Sequence, residues 1–246
     1  MSLPTLDRGL ALGILVTAAA CGSDPVPPST TPTPGQVRDF FGLNGGSCWR
    51  YRMSSGTNVF ATVRVTGPDT VPVSGKSVFI RAYQPPTTSQ TNDTLLDVDT
   101  TPGEIRLART AEGTTNRVIK TYVDEPRPLW AQLKIDREQK VVLAASTFTT
   151  LSAPREDPAN MVEHKWVVLN AADMATTPSG SVPAMKLSYT RSDGGTELYW
   201  LVPGFGMAKF TDTNNVDHVV CASRVCDSAG TCTGEASCDD LITRCQ

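Results

Sequence analysis

Apolar and polar residues alternate with period two along most of the chain beyond residue 36. Ala61, Val63 and Val65 alternate with Thr62, Arg64 and Thr66; Val78, Ile80 and Ala82 with Phe79, Arg81 and Tyr83; Ile105 and Leu107 with Arg106 and Ala108. The same rhythm carries Leu129, Ala131, Leu133 and Ile135, and later Met185, Leu187 and Tyr189. Side chains of a strand point alternately to its two faces, so this pattern predicts strands with one face buried. Turn chemistry punctuates them at Ser54-Ser55-Gly56, Gly67-Pro68-Asp69, Thr101-Pro102-Gly103, Glu112-Gly113 and Asp193-Gly194-Gly195, the last a hairpin signal. No long run has a helical stripe, and short helices are expected only at 36–41 and 239–243. The prediction is an all-β domain of about eight to eleven strands, a single antiparallel meander forming a curved sheet, open barrel or sandwich. Trp49, Val63, Ile80, Leu133, Leu187 and Trp200 are its expected core.

The first 35 residues break the rhythm. Leu10 to Thr17 form an apolar run too short to cross a bilayer, which needs about 20 such residues, and Ala18-Ala19-Ala20-Cys21 follows. Positions 1–20 read as a signal peptide. The small residues before Cys21 resemble the lipobox of bacterial lipoproteins, and Ala18-Ala19-Ala20 fits an ordinary signal-peptidase site equally well. Two features favour the lipoprotein: Cys21 stands at the cut, and residues 21–35 carry prolines at 25, 27, 28, 32 and 34. Proline removes donors and fixes φ, so this segment reads as an extended tether. The resemblance implies that Cys21 carries fatty acyl (palmitate-type) chains that anchor the protein. With Gly22 after the cysteine, it implies the outer membrane.

Six further cysteines, Cys48, Cys221, Cys226, Cys232, Cys238 and Cys245, make an even set. In an exported chain this reads as three disulfides. Their spacing has no Cys-x2-Cys pair, and neither His164 nor His218 lies at ligand spacing from another, so no metal is expected. The residues divide into an all-β domain over 36–218 and a Cys-rich, disulfide-stabilised tail over 219–246. Five cysteines in the tail cannot all pair among themselves. Cys48 is therefore expected to bond to the tail, at Cys221, leaving two bridges among Cys226, Cys232, Cys238 and Cys245. Net charge is −3 with no basic cluster, which disfavours nucleic-acid binding.

Two blocks, "FFGLNGGSCWRYR" from Phe40 and "SGSVPAMKLSYTRSDGGTELYWLVPGFGMAKF" from Ser179, resemble recurrent openings and endings in all-β bacterial surface lipoproteins. That resemblance implies an envelope location and leaves activity unassigned. Physically, Pro203 ends a strand while Gly204 and Gly206 permit positive φ, so "PGFG" is a structural turn rather than a phosphate loop.

Catalytic signals are sparse. There is no Gly-x-Ser-x-Gly, and the chain holds two histidines. His164 is expected to face solvent at a strand start, and residues 212–217 to form a polar turn rather than a calcium loop. Trp49, Trp166 and Trp200 are expected in the core. These readings favour a non-enzymatic envelope lipoprotein without cofactor, anchored by lipid and binding a protein partner or an apolar ligand. The alternative is an envelope hydrolase with a scattered active site.

Overall fold

The computed structural model describes residues 40–56, 58–70, 77–86, 92–98, 105–112, 118–122, 127–130, 138–149, 160–192 and 194–245. They form one antiparallel sheet that curls into a half-barrel. Its strands are β1 (Cys48–Met53), β2 (Phe60–Thr70), β3 (Ser77–Gln84), β4 (Asn92–Val98), β5 (Ile105–Glu112), β6 (Val118–Tyr122), β7 (Arg127–Trp130), β8 (Gln139–Thr149), β9 (Asn160–Thr177), β10 (Gly180–Arg191), β11 (Thr196–Val202), β12 (Gly206–Thr211), β13 (Asp217–Cys226) and β14 (Cys232–Gly234). The path is a meander from β1 to β14 except that β7 sits beside β5, and β1 also pairs with β13. The curl therefore brings the first and last long strands together. Cys21 and the tether lie outside the described residues, as does Leu133.

Alternation explains the core. Ala61, Val63 and Val65 of β2 are buried, as are Met185, Leu187 and Tyr189 of β10, while Arg64 and Lys186 between them are partly exposed. Trp49, Val63, Leu187 and Trp200 are buried as expected. β10 and β11 pair as the expected hairpin, with Leu187 opposite Tyr199 and Met185 opposite Leu201.

Two expectations fail on register. Gly67-Pro68-Asp69 is not a connection between strands: it lies inside β2, where the pairing to β3 skips between Thr66 and Asp69 as a bulge. In β3 the inward face is the opposite of the expected one. Val63 and Val65 pair with Tyr83 and Arg81, so Phe79, Arg81 and Tyr83 face inward and Ile80 is left half-buried on the other side. Two aromatic rings bury more area than Val, Ile and Ala, and Arg81 is accommodated because its Nη2 donates to the Met207 sulfur at 3.6 Å.

The tail does not begin where the strand pattern was expected to stop. β13 runs through position 219, and Cys221 and Cys226 are strand residues. A 3-10 turn, Asp240–Thr243, occupies the expected helical site. Its Leu241 is fully buried against Cys48 and Ala222, with Cys238 and Cys245 packed around it. Beyond β14 the tail is thus a small second layer on the outward face of β1 and β13.

Candidate functional site

Three disulfides hold that layer: Cys48–Cys238, Cys221–Cys245 and Cys226–Cys232. Cys48 bonds to the tail, but not at Cys221. The antiparallel register sets Cys48 opposite Arg224. Cys221 lies three residues further along, roughly 10 Å at the rise of a strand, beyond the reach of a disulfide. Cys238, carried back over the sheet by the tail, meets Cys48 instead. Cys226 and Cys232 are direct cross-strand partners at the β13–β14 hairpin.

The "CWRYR" and "PGFG" blocks converge. The Trp49 indole N–H donates to the Phe205 carbonyl at 3.1 Å, and the Tyr51 hydroxyl donates to the Met207 carbonyl at 2.6 Å. Gly204 and Gly206 both have positive φ, as the turn requires. Pro203 follows the last residue of β11. A β-carbon on Gly206 would stand 2.9 Å from the Trp49 ring. These residues anchor a turn; they form no anion cradle.

The described part of the inward face is filled. Tyr51, Leu187 and Leu201 are fully buried there, and an aromatic row crosses it: His164 stacks near Tyr189, Tyr189 near Tyr199, and Phe210 stacks on His218 with ring centroids 4.0 Å apart. His164 is 0% exposed, correcting the expectation of a solvent-facing side chain. It alternates in register with Trp166 and Val168, and its Nδ1 lies 2.7 Å from the Tyr189 hydroxyl. The Tyr199 hydroxyl donates to Glu197. Burial pushes the Tyr83 phenol up to about 12, with the nearby Asp212 and Glu197 carboxylates adding to the shift.

His218 is also 0% exposed. Its Nε2 meets Asp212 Oδ2 at 3.2 Å. Asp212 in turn accepts from the backbone N–H groups of Asn214 and Val216, at 2.9 and 3.0 Å, which makes residues 212–217 the expected polar turn. Nδ1 of His218 is buried and has no partner among the described residues. The pair closes the turn between β12 and β13. Among the described residues no three His, Cys, Asp or Glu side chains cluster as a metal site would require.

Burial lowers the His218 pKa below its ordinary value, outweighing the opposing pull of Asp212, Asp217 and Glu197. The unfolded chain then holds a proton that the folded chain excludes. Stability should fall as pH drops below the ordinary imidazole value of about 6.5. Asp212 and Asp217 stay below the usual carboxylate range despite burial, because of the Val216 N–H and His218 on the first and of Lys209 and Thr211 on the second. Their stabilisation is lost only near pH 4 and below, so the two windows separate. Urea titrations at pH 7.5 and 5.5 should show wild type losing stability between them and His218→Gln losing less. Parallel profiles would rule out His218 as the source.

The outward face carries an open feature. A cleft of about 310 Å³ is lined by Arg50, Phe60, Thr62 and Arg64 of β1 and β2, by Gln84, Pro85 and Pro86 at the end of β3, and by Ile242 from the tail. Sequence reading missed it because it joins four separated segments. The signal available was the run Arg50-Tyr51-Arg52, whose arginines alternate with buried aromatics.

No protein-family model matches the chain, and no curated protein matches it. Two solved structures are similar to it: a candidate lipoprotein from Parabacteroides distasonis ATCC 8503, 15% identical, and a candidate exported protein with a YmcC-like fold from Bacteroides fragilis NCTC 9343, 12% identical. Each likeness covers 74% of this chain and 96% of the other, with a TM-score of 0.37. At that level neither assigns an activity.

Proposed function

We propose that this protein is a lipid-anchored component of the bacterial envelope that works by binding rather than by catalysis. The observation that carries the reading is the contrast between its two faces. The described part of the inward face is packed with side chains, and among the described residues the Asp212–His218 pair has no partner at the imidazole's second nitrogen. The outward face presents a cleft walled by a disulfide-held tail. An apolar ligand carried inside the curl finds the described part of that face already filled, so the cleft is the binding feature. Three disulfides support an oxidising compartment.

Anchoring rests on Ala18-Ala19-Ala20-Cys21 and the proline-rich tether. Each buried acyl methylene contributes about 0.8 kcal/mol, and stable attachment takes more than one chain, as in the triacylated cysteine of a lipoprotein. The outer membrane is the proposed destination. In a bacterial host, Cys21→Ala should yield either uncleaved precursor or protein released to the periplasm. Membrane fractionation with intact-mass measurement checks this. A variant that keeps both its membrane partition and its mature mass would refute lipidation at Cys21.

A further inference from the structure

Three arginines project outward from β1 and β2, and two of them are satisfied. Arg64 pairs with Asp239 at 2.8 Å, and Arg52 donates to the Cys245 carbonyl at 3.2 Å. Arg50 has neither kind of partner among the described residues. Its guanidinium lies over the Phe60 ring, 4.5 Å from the centroid, and its Nε is buried with no acceptor among the described residues. Desolvation pulls its pKa down. The Nε edge of this half-buried guanidinium is thus shielded from water without an acceptor among the described residues, and Arg50 lines the cleft.

The rest of the cleft has two characters. Asn58 and Thr62 with Gln84 offer polar groups, while Phe60, Pro85, Pro86 and Ile242 form apolar walls. Ile242 is 53% exposed, a large apolar side chain held out to solvent by a turn whose flanking cysteines are both bridged to the sheet. The Phe60 ring lies under the guanidinium and restricts it, and a guanidinium's fork of donors suits a planar or tetrahedral oxyanion. The volume lies at the lower end of the range for small-molecule sites.

We infer that this cleft binds a small organic anion, a carboxylate or phosphate carried on an apolar body, with the anionic group on Arg50 and the body against Pro85, Pro86 and Ile242. The inference deepens the binding role proposed above and rests on it.

Calorimetric titration of the purified full-length protein in detergent with 3-phenylpropionate and with phenyl phosphate tests it, with 3-phenylpropionamide as the neutral control. At least one anion should bind saturably and the amide should not. Whichever anion saturates at lower concentration identifies the group. Arg50→Gln should weaken that binding at least tenfold, and Arg50→Lys nearly as much, because an ammonium lacks the fork. Arg244→Gln, removing an exposed arginine that pairs with Glu235, should leave affinity unchanged. Circular dichroism establishes that each variant is folded. Failure of both anions to bind at millimolar concentration, equal binding of the amide, or equal losses in the Arg50 and Arg244 variants would each overturn the inference. Binding in detergent does not depend on the anchor, so a Cys21→Ala variant that keeps its membrane partition and mature mass and still binds would refute the location alone.

Discussion

Replacing Cys48 and Cys238 together by serine should lower stability by about 5 kcal/mol. The bridge spans 190 residues. In the chain-entropy treatment a cross-link stabilises by restricting the unfolded chain, and the benefit grows with the logarithm of the loop. Cys226–Cys232 spans only six residues, and the same treatment gives about 2 kcal/mol for removing it. The two pairs therefore make a built-in comparison. The tail sharpens the contrast, because it buries Leu241 as its single fully buried side chain among the described residues, and besides Cys48–Cys238 the covalent link between the stretch beyond β14 and the sheet is Cys221–Cys245 at its far end. Without Cys48–Cys238, the Arg64–Asp239 ion pair and the Arg52–Cys245 hydrogen bond are exposed contacts, worth about 0–1 kcal/mol each. Urea midpoints of the two double variants give the measurement. Similar losses from both would refute loop closure as the origin, and a smaller loss from the Cys48–Cys238 pair would show that the tail docks without its long-range staple.

The sequence pattern was most informative where one face of a strand is apolar and the other polar. Ala61-Val63-Val65 and Met185-Leu187-Tyr189 have that form, and both apolar sets are buried as read, with Thr62 of the polar set buried as well. It misled where both faces carry bulk. In β3, Val-Ile-Ala on one face competes with Phe-Arg-Tyr on the other, and only the register against β2 decides which turns inward. His164 was misread for a related reason. A polar residue flanked by Glu163 and Lys165 looks exposed, yet the period that buries Trp166 and Val168 also buries His164, where the Tyr189 hydroxyl receives it. The number of bridges to Cys48 followed from parity, whereas the partner depended on how the tail doubles back, which no local pattern encodes. The cleft was invisible for the same physical reason. Arg50, Gln84 and Ile242 are brought together by pairing and by a disulfide, and nothing in their own neighbourhoods marks them.

Trp49→Ala should cost about 4 kcal/mol, within the ~3–5 kcal/mol seen for truncating a buried aromatic. Trp49 is 2% exposed, and the space around it cannot readily collapse. Gly42, at φ +60, and Gly206, at φ +95, flank the indole with backbone: a β-carbon on Gly42 would stand 2.6 Å from the ring, and one on Gly206 would lie 3.2 Å from the Gly42 α-carbon. Backbone fixed by strand pairing and tight turns moves less than side chains do, so the void persists and its cavity cost is retained. The indole N–H also holds the Phe205 carbonyl across 156 residues of sequence. Losing that bond leaves, of the two described side-chain hydrogen bonds from β1 to this region, the one from Tyr51 to the Met207 carbonyl. Trp49→Phe keeps most of the ring volume but removes the donor, and should cost about half as much. Tyr51→Phe, which removes only the second bond, should cost about 1 kcal/mol. The order Trp49→Ala, Trp49→Phe, Tyr51→Phe in urea midpoints is the expected result. A Trp49→Ala loss no larger than that of Tyr51→Phe would mean that the turn holds its place without the indole, and that Gly42 and Gly206 are small for some reason other than its close approach.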